Sequence, residues 1–377
     1  MKPKRLINGI IPTNKCNLKC EYCYISQLPE YMKMTQSFEY TPEHIAKCLS
    51  VERLGGVCLI NLTGEGETML QPELVKLCRL LLEQGHFMEI VTNLTVKKVV
   101  DEFLSLPEEL QKRLEFKVSF HYDELKRLGI LDKFWTTLDV VQKSDYSFTL
   151  ELMSSDSHMQ SIDEIIALCE EHVGAKCHVT VGRTESLKDK RLLTNYDKNE
   201  YIKKWTVFDS EMFRFKMDLL GVKRKEFCYA GDWTLFLNMH TGEARSCYAQ
   251  PDSQNIFKEP DKPIRFRAVG CHCIQPYCFN GHAYMSLGAI PEMESPTYYA
   301  IRNRKRADGT EWFGEEAAEF FNAKLIESNT EYSSVKKFFN YFGWYYRVAL
   351  FALKQPKTVL RFIKISKQKY INKMKHN

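Results

Sequence analysis

The chain has 377 residues, a net charge of +5, 44% hydrophobic and 27% charged residues, the make-up of a soluble globular protein with room for one large and one smaller domain. No run of about 18 uncharged apolar residues occurs, which argues against a transmembrane span, and the start MKPKRLINGI lacks the long apolar run and small-residue cleavage site of a signal peptide. Thirteen cysteines, an odd number in a chain with no secretory signal, argue against a disulfide framework and for a cytoplasmic setting.

Strand-like segments occur at 6–12, 56–64, 87–93, 116–122, 146–153 and 176–182. Several are continuous apolar runs, as expected of parallel strands covered on both faces. Helix-like segments lie between them. Thr41 is placed to cap a helix that has Pro42 at its first position and Gly55 as a stop. Leu74, Val75, Cys78, Leu81 and Leu82 form an apolar stripe that ends at Gly85, and Ser161 and Glu164 form a capping box for a helix stopped by Gly174. Six strands alternating with helices predict an α/β barrel or an open doubly wound sheet.

Residues 191–227 read as a helical linker after a first domain of residues 1–190. At Phe227 the texture changes to cysteines, glycines and aromatics, which predicts a small domain over 228–291 and a helical, basic region over 292–377. From Ser333 onward there are 11 Lys/Arg and no Asp or Glu, so the residues before it carry a net charge of about −6. Cys48, Cys58, Cys78, Cys169 and Cys177 fall on apolar periodic patterns and read as small buried hydrophobes. The other eight cysteines call for chemistry.

Cys16, Cys20 and Cys23 lie in PTNKCNLKCEYCYISQ, directly after the first strand, at spacing C-x3-C-x2-C. A [4Fe–4S] cluster has four irons, each taking one thiolate, so three cysteines leave one iron open to another ligand. Structural zinc would want a fourth nearby Cys or His, and none follows until His44, inside a predicted helix; a zinc knuckle is the alternative. Tyr22 and Tyr24 flank the last cysteine and are placed to shield a cluster edge from water. The motif, at the mouth of a β/α series, resembles the radical S-adenosylmethionine (SAM) superfamily. The resemblance implies a partial (β/α)6 TIM-type barrel, a catalytic cluster on Cys16, Cys20 and Cys23, SAM on the open iron, and reductive cleavage of SAM to a 5′-deoxyadenosyl radical that abstracts a hydrogen atom. A reducing partner such as flavodoxin or ferredoxin follows from that chemistry.

NLTGEGETML (61–70) ends the second strand, where this family carries a Gly-Gly-Glu-like motif for the SAM amino group. The resemblance therefore assigns Glu65, Gly66 and Glu67 to SAM. Polar residues at later strand ends commonly contact ribose and adenine in the family, which brings in Asn93, Ser119, His121 and Glu151.

Cys228 and Cys247, joined by a hairpin turning at Thr241-Gly242, and the CHCIQPYCFNGH stretch with Cys271, Cys273, Cys278 and His282 resemble the auxiliary-cluster domain called SPASM or Twitch. A SPASM domain needs seven cysteines, and five are present. The expectation is one auxiliary [4Fe–4S] cluster, held by four of the five or by three plus His282, with four-thiolate zinc as the alternative occupant. Asp232, His282 and Tyr284, near these cysteines in sequence, are the candidates for acid–base or quenching work.

The aromatic, basic stretch 335–375 has the composition of a segment lying in a membrane interface, at the inner face of the membrane; a helix packed on the barrel with a free basic end is the alternative. No nucleic-acid recognition fold accompanies the charge. Residues 281–312 resemble radical SAM proteins of bacterial surface-polysaccharide gene clusters, and Arg302, Arg304, Lys305 and Arg306 are candidates for a phosphate-bearing substrate. The expected reaction is dehydrogenation or epimerisation of a sugar-like or lipid-linked glycan. A peptide-modifying maturase is the alternative, although the 15 residues before Cys16 leave no room there for a leader-binding module. A non-catalytic metal-binding scaffold is the third reading.

Overall fold

The computed structural model describes residues 1–23, 25, 37–184, 191–247 and 253–354; Tyr24 and the tail beyond 354 lie outside them. Among the described residues, nine strands form one sheet: β1 (Arg5–Ile11), β2 (Cys58–Gly64), β3 (Phe87–Thr92), β4 (Leu114–Phe120), β5 (Ser147–Met153), β6 (His178–Thr180), β7 (Thr234–Asn238), β8 (Glu243–Arg245) and β9 (Gln254–Asn255). Their order is β6-β5-β4-β3-β2-β1-β7-β8-β9. Strands β1 to β6 run parallel with helices between them, the pattern of a partial TIM-type barrel.

The six predicted strands are present to within two residues at every end. Their apolar runs are buried, with Leu59, Ile60 and Leu62 of β2 fully enclosed. Helices at Pro42–Cys48 and Val51–Leu54, Leu74–Glu83 and Ile162–Val173 match the predicted ones. Thr41 caps its helix by accepting from His44 N, whereas Ser161 makes no side-chain cap, so the expected capping box is absent. The five cysteines read as core are fully buried, and none of the thirteen is in a disulfide.

Two findings differ from the sequence expectations. First, the cysteine-bearing hairpin is continuous with the barrel: β7 pairs parallel with β1, and β8 and β9 follow antiparallel. The turn depends on Gly242, at φ +76°, where a Cβ would lie 2.4 Å from the Phe257 ring. Secondly, residues 297–303 insert into the barrel. Tyr298, Ile301 and Arg302 are fully buried there.

The barrel interior that receives this segment is polar. Asn8, Asn61, Glu89, Glu115 and Ser147 are register partners in one row across β1 to β5. Asn61 and the Tyr298 hydroxyl both donate to Glu89, and Thr149 donates to Glu115. Arg302 donates to Glu151 at 2.6 Å and stacks over the Tyr298 ring at 4.2 Å. Buried polar groups are tolerated when partnered in this way.

Candidate active site

The three-cysteine loop leaves the C-terminal end of β1, where β/α barrels place their chemistry. Its shape comes from local bonds: Thr13 Oγ1 accepts from Lys15 N at 3.3 Å, and Cys16 Sγ accepts from Leu18 N at 3.4 Å. Cys23 N donates to Cys20 O at 3.1 Å. Neighbouring elements hold the loop down. Lys19 N donates to Glu124 at 2.8 Å, and Asn93 Nδ2 donates to Asn17 Oδ1 at 2.9 Å and reaches Cys16 Sγ at 3.9 Å.

The GEGE loop clamps onto the same backbone. Glu67 N donates to Lys15 O at 2.9 Å. A Cβ on Gly66 would lie 2.2 Å from Lys15 O, so only glycine permits this approach. The Glu67 carboxylate is buried and accepts from Met69 N, Thr92 Oγ1 and Asn93 N at 2.9, 2.6 and 2.8 Å. It is therefore the strut between the GEGE loop and the end of β3, while Glu65 is the exposed carboxylate of the motif. Tyr22 donates to or accepts from His121 Nδ1 at 2.7 Å and packs edge-on against His158, forming an aromatic wall beside the cysteines.

Burial pushes the Cys16 thiol up to about 11 and Cys20 to about 12, with the neighbouring thiols adding repulsion. A partly buried all-sulfur donor set of this kind suits a cationic iron–sulfur group, which supplies the positive charge that the thiolates lack.

The second set of cysteines separates into four and one. Cys278 feels Cys228, Cys247 and Cys273, and Cys228 feels Cys247 and Cys273. Cys228 is held by paired bonds with Gly270. Cys271 is exposed and faces Glu292 and Lys337 instead. His282 faces Lys216, Lys117, Arg302 and Arg183 and lines one small cavity with Cys278. Among the described residues, no three Cys, His, Asp or Glu side chains converge closely enough to hold one metal ion. Tyr284 is buried between these cysteines and the lumen, with its hydroxyl toward Asn8.

A cleft of about 920 Å³ opens beside the cysteine loop, lined by Tyr22, Asp156, Arg191, Thr194, Tyr196 and Tyr277 among others. Other candidates do not line this cleft. Asp232 pairs with Arg5 at 3.6 Å, at the N-terminal end of β1 and so at the opposite end of the sheet from the cysteine loop, which removes it as an acid–base candidate. Ser119 is the register partner of Glu151, and Glu151 is engaged by Arg302 and, at 3.4 Å, by Lys117. The phosphate candidates are also committed to the protein. Arg304 donates to the Asp209 and Phe208 carbonyls, Arg306 to the Val173 and Glu311 carbonyls, and Lys305 pairs with Glu311. Lys117 and Lys216 were not among the sequence candidates. A lysine inside the apolar runs FKVSF and FRFKM was the available signal.

Residues 10–182 match the Radical SAM superfamily. In structure the chain is similar to Streptococcus suis SuiB bound to S-adenosylmethionine, at 17% identity and a TM-score of 0.47, over 70% of this chain and 67% of that one. It is also similar to anSMEcpe with bound AdoMet and Cp18Cys peptide, at 16% identity and a TM-score of 0.48, over 92% and 99%. BtrN in complex with AdoMet and 2-DOIA is 16% identical with a TM-score of 0.34, over 69% and 81%. No curated protein matches the chain.

Proposed function

We propose, from the premise that residues 10–182 are a radical SAM domain, that this protein is an enzyme that abstracts a hydrogen atom from a sugar-like or lipid-linked glycan substrate. The observation that carries the enzymatic reading is the clamp of the three-cysteine loop onto the GEGE loop through Gly66 and Lys15. When bound, a reduced [4Fe–4S] cluster with SAM supplies the 5′-deoxyadenosyl radical.

The chain's own residues do the rest. Cys16, Cys20 and Cys23 hold the cluster. Glu65 and the Gly66 backbone receive the SAM amino group, with Glu67 and Asn93 fixing the loops that present it; Ser119 and Glu151 border the nucleoside. Tyr22, His121 and His158 exclude water from one side of the cysteines. Cys228, Cys247, Cys273 and Cys278 hold one auxiliary [4Fe–4S] cluster, and Tyr284 bridges the space between it and the barrel. Flavodoxin or ferredoxin is the class of reductant required.

The lipid-linked part of this reading draws on the helix Ser334–Lys354. Its Asn340 and Trp344 dock on the cysteine-bearing region, through Ala268 O at 2.9 Å and the His272 ring at 4.3 Å. Val335, Phe339, Phe342, Tyr346 and Leu353, spaced to share the other face, are exposed. An aromatic stripe flanked by a chain end with no acidic residue suits an anionic membrane surface. No helix among the described residues is long and apolar enough to cross a membrane.

Ring-deuterated hexose phosphates and lipid-linked hexoses, offered with SAM to the reduced enzyme, test the substrate. Deuterium in the 5′-deoxyadenosine supports the glycan reading. Its absence with every sugar, together with transfer from a peptide, replaces that reading with a maturase.

A further inference from the structure

Cationic side chains outnumber ionised carboxylates in the lumen beneath the cleft. Lys117, Lys216, Arg302 and Arg183 all bear on His282, and Lys117, Arg183 and Arg302 bear on Lys216. Glu151 is paired with Arg302 and Lys117. Glu89 is 3.8 Å from Arg302 Nε and accepts from Tyr298 and Asn61. Burial, with Glu89 adding repulsion, pushes the Glu115 carboxyl well above the usual carboxylate range, which favours its neutral form.

Lys216 has a hydroxyl partner, Thr180, and no carboxylate within ion-pair distance among the described residues. His282 Nδ1 and Arg302 Nη2 are buried without hydrogen-bond partners. Lys216 and His282 share a cavity of about 20 Å³, room for about one water-sized group, with Val181, Phe279 and Cys278, and Leu220 and Tyr277 line both this cavity and the large cleft. Gly281 makes the close packing possible, since a Cβ there would lie 2.3 Å from Leu219. A buried cation without a counter-charge is costly, and an oxyanion offsets that cost through charge-assisted hydrogen bonds.

We propose that Lys216 and His282 anchor an oxyanion of the substrate, a carboxylate or phosphate ester, at the inner end of the cleft beside Cys278. This rests on the substrate reading above and narrows it to an anionic molecule. The anchor fixes the reacting carbon between the three-cysteine loop and the auxiliary cysteines. Lys117 and Arg302, tied to Glu151, set the positive field, and Arg183 lies over the Phe279 ring at 5.2 Å.

The test uses full-length protein reconstituted with iron and sulfide, titrated calorimetrically with inorganic phosphate and separately with malonate at pH 6.5. Saturable binding of about one anion per chain is expected, weakened about tenfold or more by Lys216→Gln or His282→Gln and retained by Lys216→Arg. The tighter of the two anions identifies the substrate group. Binding should weaken at pH 8.5, as Lys216, faced by Lys117, Arg183, Arg302, His282 and Glu151, loses its proton. Undiminished binding in Lys216→Gln and His282→Gln, or no saturable binding of either anion, would overturn the proposal. Formation of 5′-deoxyadenosine on the same samples separates the two readings: its loss with anion binding intact counts against radical chemistry alone, and its persistence without anion binding counts against the anchor alone.

Discussion

Arg302 donates to Glu151 at 2.6 Å inside the barrel, tying the segment that follows the auxiliary cysteines to the fifth strand. Burial by itself would raise the Glu151 pKa, but Lys117 and Arg302 hold it at about 2. Replacing Arg302 by Met leaves Glu89 buried without its cation and Glu151 with Lys117 alone, and should cost about 3–5 kcal/mol in urea unfolding. The double variant Arg302→Met/Glu151→Gln should recover part of that loss. A single variant as stable as the wild type would show that the insertion contributes little to the barrel.

Gly66→Ala should separate the GEGE and cysteine loops, because its Cβ would meet Lys15 O at 2.2 Å. SAM affinity, measured by equilibrium dialysis on reconstituted protein, should fall about tenfold or more. Gly129→Ala, where a Cβ would have nothing within 4 Å, serves as the comparison and should leave SAM affinity unchanged.

Iron content distinguishes the five later cysteines. Cys271→Ser should retain about eight irons per chain, whereas Ser at Cys228, Cys247, Cys273 or Cys278 should reduce the count toward about four. A loss at Cys271 equal to the others would place it among the ligands.

Lys216 gives a pH dependence with a defined sign. Burial, with Lys117 and Arg183 adding repulsion that Glu151 only partly offsets, lowers its pKa to about 7. Between about pH 7 and 10.5 the unfolded lysine keeps a proton that the folded one has released, so this group favours folding increasingly as pH rises through that window. The stability advantage of Lys216→Met over wild type should therefore be largest at pH 7 and below and shrink toward pH 10. An advantage that does not change with pH would contradict the assignment.

Ser at Phe339, Phe342 and Tyr346 together should reduce sedimentation with anionic vesicles, with little change in melting temperature, because all three are exposed. Equal sedimentation of variant and wild type would remove this face from the membrane contact.

Much of this was legible in the sequence because it depends on local signals. The strands were marked by apolar runs, the helix at Pro42 by Thr41, and the cysteine loop by its spacing. What was not legible depends on long-range pairing. Nothing local to Thr234–Asn238 tells that it pairs with β1, or that Tyr298 and Arg302 enter the barrel to meet Glu89 and Glu151. Asp232 lies four residues from Cys228 in the chain, yet the parallel pairing of β7 carries it to the far end of β1, beside Arg5. Cys271 and Cys273 are two residues apart, yet Cys271 faces Glu292 and Lys337 while Cys273 bears on Cys278.

The most direct test of the central claim is the 5′-deoxyadenosine formed by dithionite-reduced, iron–sulfide-reconstituted protein given SAM, compared with a Cys16/Cys20/Cys23→Ala triple variant. The account predicts slow formation by the wild type and none by the variant. Equal formation by both, or no formation and no SAM binding by fully cluster-loaded wild type, would contradict it.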